Sequence, residues 1–149
     1  MTDGGGPTPP APRPGTILQR GRAKAYRPLA TEARRAALHA FLHAYDAGAH
    51  FEAHELLEPA WMGTDDPAER DLHQGLIKLA AAFVHAARGN PLGVRKNLVG
   101  ARARLGDALE AGRAYGIDVR PIIAAIDERL ARPEGEPDPA LPPIPIARS

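Results

Sequence analysis

The sequence predicts an all-α protein, a single five-helix antiparallel bundle, on three observations. Apolar residues recur with the 3.6-residue period of helices through the middle of the chain, and no segment sustains the two-residue alternation of a strand. Asp66-Pro67 and Asn90-Pro91 each set a capping side chain directly before a proline, a pairing that opens helices. Eleven of the 16 prolines fall in residues 1–14 and 132–149, segments that cannot bury enough apolar surface to offset the entropy of ordering. The predicted organisation is a disordered, basic, Pro-rich arm over 1–30, a helical domain over 31–131 and a disordered Pro-rich tail over 132–149.

Each helix has its own signature. In the first, Thr31 can cap, and Leu38, Phe41, Leu42 and Tyr45 recur on one face before Gly48 stops it. The second spans about His50 to Met62, with Pro59 inside it; proline has no N–H for the Glu55 carbonyl, so a kink is expected there. The third starts with Asp66 as cap, Pro67 in the first turn and Glu69 three residues after the cap. Leu72, Leu76, Leu79, Phe83 and Ala87 form its stripe, which ends at Arg88-Gly89. The fourth runs from Asn90-Pro91 to about Ala111, and Asp118 opens a fifth that buries Ile122, Ile123, Ile126 and Leu130. Gly75, Gly93, Gly100 and Gly106 interrupt helical patterns at about 1 kcal/mol each relative to Ala, which points to close helix–helix packing.

Composition narrows the function classes. With no cysteine among 149 residues, disulfides, thiolate metal sites, iron–sulfur clusters and cysteine nucleophiles are excluded. The single serine is Ser149, which excludes a triad-type serine nucleophile, and no glycine-rich nucleotide loop is present. No run approaches the ~20 apolar residues of a membrane span. The opening residues lack the apolar stretch of a secretory signal, so a cytoplasmic location and no membrane partner are expected. Of 19 basic residues only Lys24, Lys78 and Lys96 are lysines, a bias that fits a high-GC genome.

One constellation can carry chemistry. In the second helix, His54 and Glu58 are four residues apart and share a face that Trp61 continues. An imidazole nitrogen and a carboxylate at this spacing can share a divalent cation, and the mixed N/O donor set suits Zn, Mn or Fe. His54 and Glu58 are therefore the candidate metal ligands, with Glu55 and Glu52 as further ligand or general base and Trp61 as a wall. In an antiparallel pair, the second helix near His54 lies opposite Gln74 to Lys78 of the third, which makes Gln74 a partner of the cluster and His85 an outer member. The competing explanation is a plain hydrogen-bonded His–Glu pair packed beside a core tryptophan. His73, next to the Leu72/Leu76 face, reads as a core-edge histidine, and His39, His43 and Asp46 as a solvated face.

The pattern H-x-x-x-E-x-x-W at His54, Glu58 and Trp61 resembles the signature of a bacterial and archaeal family of small helical proteins, the domain of unknown function 309. The likeness extends from about Phe41 to Ala131 and includes Phe51-Glu52-Ala53-His54-Glu55, Gln74-Gly75-Leu76-Ile77 and Gly89-Asn90-Pro91. It implies an all-α fold and metal binding by the motif, and it supplies no reaction.

Three functions are compatible with these residues. A metal-binding, hydrolytic protein would use the bound ion to lower the pKa of its water. A nucleic-acid accessory module would use the basic arm, where Arg13, Arg20, Arg22, Lys24 and Arg27 against Asp3 give +4, together with Arg95, Arg102 and Arg113. Against it, the remaining residues sum to −3 and aromatics are only 5%, too few for a base-stacking platform. A non-catalytic interaction bundle or homo-oligomer would use Gly93 and Gly100 as a close-contact seam.

Overall fold

The computed structural model describes residues 15–19, 22–132 and 140–148. The arm residues Asp3, Arg13 and Arg20, the proline-rich stretches 1–14 and 133–139, and Ser149 lie outside the described residues.

The fold is all-α, with six helices among the described residues where five were expected. Helix α1 spans Thr31–Asp46 and buries Leu38, Phe41, Leu42 and Tyr45. Thr31 lies inside the first turn rather than capping it: Ala30 occupies the cap, and the Thr31 hydroxyl accepts from Arg34 at 3.2 Å. Gly48, at φ 79°, turns the chain into α2, His50–Met62, which runs through Pro59 without a break. Helix α3, Pro67–Ala87, opens as its sequence dictates, with Asp66 accepting from the Glu69 amide at 3.0 Å. Gly89, at φ 68°, then reverses the chain into α4, Pro91–Gly106, where Asn90 caps the Gly93 amide at 3.2 Å.

The fourth predicted helix is two. Gly106 and Asp107 are weak helix formers, and the chain breaks there before α5, Leu109–Ala114. The break buries Ala108 and brings Gly112 against the Ile117 carbonyl, where a methyl carbon would stand 2.9 Å away. Helix α6 is Arg120–Leu130, two residues later than predicted, because Asp118 precedes the helix and accepts from the Arg120 amide at 3.1 Å and from its guanidinium.

Successive helices pack side by side, α1 on α2, α2 on α3, α3 on α4, and α6 closes over α4. Leu57 of α2, Leu72, Leu76 and Leu79 of α3, Leu98 and Leu105 of α4 and Ile122 and Ile126 of α6 are all fully buried. The helical glycines face neighbours within the chain. A methyl carbon on Gly75 would meet Leu105 at 2.7 Å, and one on Gly93 would overlap the His85 ring. Gly93 and Gly100 thus serve the α3–α4 contact, which removes the reason for reading them as a seam for a partner.

Strands are present, contrary to expectation. β1 (Thr16–Gln19) and β2 (Arg22–Ala25) form an antiparallel ribbon, with Thr16 opposite Ala25. The segment that follows is pinned to the end of α2 by Arg27 N–H to the Met62 carbonyl, 2.8 Å, and Leu29 N–H to the Gly63 carbonyl, 3.0 Å. A second ribbon pairs β3 (Ile117–Asp118) with β4 (Ala147–Arg148). The described part of the predicted disordered tail is therefore a strap on the bundle. Ile144 and Ile146 are buried, Tyr45 Oη donates to the Ile144 carbonyl at 2.7 Å, and Arg148 binds Asp46 at 2.6 Å. These ends order because apolar side chains and backbone pairing at a few positions outweigh proline-rich composition.

Candidate functional site

The antiparallel packing of α2 on α3 leaves a cavity of about 130 Å³ lined by His54, Glu58 and Trp61 from α2 and Gln74, Ile77 and Lys78 from α3. Helical periodicity explains the set. His54, Glu58 and Trp61 are at i, i+4 and i+7, and Gln74 with Ile77 and Lys78 at i, i+3 and i+4, so each trio is one stripe. Both stripes border buried ones, Ala53, Leu57 and Ala60 on α2 and Leu72, Leu76 and Leu79 on α3, which fix their orientation.

Three polar atoms of these residues are buried without a hydrogen-bond partner among the described residues: His54 Nδ1, Trp61 Nε1 and Gln74 Oε1. Such atoms are rare in folded proteins, because each forfeits hydration without compensation. Trp61 is held from behind by Arg70, whose guanidinium carbon lies 5.0 Å from the indole ring centre. Arg70 is fully buried and donates to the carbonyls of Thr64, 3.0 Å, and Ala25, 3.2 Å, so β2 and the α2–α3 loop share one anchor with the cavity wall. Among the described residues neither Glu58 nor Lys78 forms an ion pair. Burial, and then the charges of Arg104, Lys96 and Lys24, hold the Lys78 amine below its ordinary value.

Three predicted site residues lie elsewhere. Glu55 and Glu52 are exposed and do not line the cavity: one and two residues from His54 along α2, they are rotated by about 100° and 200° from its stripe. Placement in solvent removes them as ligand or base for this cavity. His85 sits seven residues past Lys78, ~10 Å further along the helix, where its ring meets Asn90 at 3.1 Å and covers Gly93. It belongs to the α3–α4 corner. Ile77 and Lys78 are the wall residues not predicted for the site; for Lys78, its position four residues after Gln74 and its being a lysine in an arginine-rich chain were the available signals.

A second polar cluster surrounds His73, which is fully buried. Its Nε2 lies 3.3 Å from Glu69 Oε2, Arg34 Nε donates to the same oxygen at 2.6 Å, and the Tyr115 ring stands edge-on at 5.7 Å. Burial alone would raise the Glu69 carboxyl, but hydrogen bonds from His73, Arg34 and Tyr115 outweigh it and hold the group down to about 2. With its charges paired, this cluster ties α1, α3 and the segment after α5 together.

Larger cavities lie away from both clusters. One of about 410 Å³ carries Arg113, Arg120 and Arg148, but these pair with Glu110, Asp118 and Asp46. Another, of about 400 Å³, lies under the strap and is lined mainly by aromatic, aliphatic and proline side chains. Arg102, proposed for phosphate contact, is likewise paired, with Asp127 at 2.9 Å. Among the described residues no three His, Cys, Asp or Glu side chains come together, and no helix is long and apolar enough to cross a membrane.

No curated protein and no solved structure matches the chain. A family model described as a domain of unknown function (DUF309) matches residues 38–97, stopping short of the Ala131 to which the sequence likeness extends. Those residues include α2, α3 and every side chain that lines the α2–α3 cavity, and over them the chain is similar to the DUF309 family.

Proposed function

We propose that the domain binds a small polar molecule in the α2–α3 cavity. The observation that carries this reading is that the three residues holding buried, unpartnered atoms, His54 with Nδ1, Trp61 with Nε1 and Gln74 with Oε1, all line one cavity. An indole N–H only donates and an amide oxygen only accepts, so the complementary molecule offers at least one acceptor and one donor. Glu58 adds an acceptor and Lys78 a donor, which makes the wall a recognition surface.

Trp61 is the single tryptophan, so its emission reports on this cavity. A screen of small polar metabolites is expected to yield compounds that shift that emission. Gln74→Leu should weaken them at least ~10-fold while stabilising the free protein by about 1 kcal/mol, because an unsatisfied buried oxygen is removed. A screen in which nothing shifts the emission, or hits that bind the variant equally well, would overturn the reading.

A divalent ion is the second reading, supported by His54 Nδ1 lacking a partner and Glu58 standing one turn away on the same wall. One imidazole and one carboxylate are fewer than the three protein ligands of a resident catalytic zinc, and Lys78 adds positive charge to the wall. The donor set suits a labile Zn, Mn or Fe ion that shares its coordination with the small molecule, and no hydrolytic step is derived from it. Elemental analysis of chelator-free protein beside His54→Ala and Glu58→Ala tests this: near-stoichiometric metal lost in both variants supports it, and metal-free protein whose melting ignores added ions removes it.

A further inference from the structure

Lys78 is the cationic side chain on the cavity wall, and its stem crosses α4 at Gly100. A methyl carbon built on Gly100 would stand 2.8 Å from Lys78 Cδ, 3.3 Å from Cε and 3.5 Å from Nζ. Glycine at this position leaves the slot in which the lysine lies. Lys96 and Arg104 stand four residues before and after Gly100, so all three share the face of α4 that Lys78 lies against. The ammonium is thus flanked by a cation on each side along α4, and Lys24 of β2 adds a third charge that acts on it.

The chain's other two lysines, Lys96 and Lys24, both act electrostatically on Lys78, although arginine supplies the other 16 of its 19 basic residues. Arg104 is paired, with Asp71 at 3.1 Å, but Lys78 has no ion pair among the described residues. Like charges placed around a partly desolvated amine raise its energy unless an anion offsets them.

Resting on the reading of the cavity as a small-molecule site, we propose that its ligand carries a small oxyanion, a carboxylate or a phosphate, seated on the Lys78 ammonium between Lys96 and Arg104. Glu58 and Gln74 Oε1 accept from the donor-bearing remainder of the ligand, and the Trp61 N–H, on the Gln74 side of the wall, adds a neutral donor there. Glu58 repels a second negative group, so the ligand is anionic at one end only. The plain alternative is a lysine whose stem covers apolar surface while its head stays in water.

The test uses the full chain, the emission of Trp61 and three probes: inorganic phosphate, glycolate and the neutral glycolamide. Phosphate or glycolate is expected to bind, and about fivefold more weakly at high than at low potassium chloride, since exposed charges are screened. Whichever of the two binds more tightly identifies the source of the oxyanion. Lys78→Met should abolish binding, and Lys96→Met, on the exposed rim, should weaken it about threefold. If Lys78→Met does not fold, Gly100→Ala takes its place: the added methyl displaces the Lys78 stem, and anion affinity should fall at least ~3-fold with helix content unchanged. Glycolamide binding as tightly as glycolate, or anion binding unchanged in these variants, would overturn the oxyanion proposal and leave the cavity reading standing. If neither these probes nor the metabolite screen shifts the emission, the cavity reading falls and this proposal with it.

Discussion

Glu69→Ala is expected to destabilise the fold by about 3 kcal/mol at neutral pH, because it leaves Arg34 and His73 with an uncompensated buried site. The side chain is 11% exposed and its carboxyl titrates at about 2 instead of the ordinary 4.5. A depressed folded-state pKa contributes stability that is fully present above the unfolded value and is lost as pH falls through the folded one. The difference between parent and variant should therefore be constant down to about pH 5 and shrink steadily from there toward pH 2. Urea unfolding at a series of pH values measures it. A difference that does not change between pH 5 and pH 3 would show that Glu69 contributes packing rather than charge. Glu69→Gln, which keeps the shape and can still hydrogen-bond, should cost less.

Replacing Ile144 and Ile146 together by alanine should cost about 4 kcal/mol, in the range for truncating two buried aliphatic side chains near a surface. Each is 5% exposed, and the segment between them and β4 supplies the carbonyl for Tyr45 and the guanidinium for Asp46. Loss of the strap would uncover Tyr45, His50 and Phe83, whose rings pack together, His50 on Phe83 at 4.4 Å and Tyr45 on Phe83 at 5.9 Å. Calorimetry on the double variant decides the matter. A change under ~0.5 kcal/mol would mean the strap contributes nothing to the fold, as for an ordinary surface substitution.

The helices were legible because their signals are local. Asp66-Pro67 and Asn90-Pro91 start helices by chemistry confined to a few residues, and the α3 stripe buries Leu72, Leu76 and Leu79 by periodicity alone. What escaped depends on residues far apart in the chain. Pro143-Ile144-Pro145-Ile146 carries a two-residue alternation, but it is brief and set in proline, and only its contact with Tyr45 gives it meaning. The division of α4 from α5 follows from burial of Ala108 and Gly112, which no period reveals. At the site, antiparallel helix geometry led from His54 to Gln74, whereas the helical angle alone should have set Glu52 and Glu55 aside. Lys78 was missed because lysines on helices are ordinarily solvated, and its neighbours Lys96 and Arg104 come from a different helix.

The strap also bears on the order in which the molecule assembles. Tyr45 and the Ile144 carbonyl are 99 residues apart, whereas most other contacts join helices that follow one another. Closing so long a loop is entropically unfavourable until the surface that rewards it exists. The helical hairpins are therefore expected to form first, with the strap docking last on a finished bundle. The reverse path is opening of residues 140–148 without unfolding of the rest, a partial opening of lower free energy than the global one. Amide exchange should report it as an early-exchanging β3–β4 pair against slowly exchanging α3. Such an opening would bare the rings of Tyr45, His50 and Phe83 while the helices stay folded.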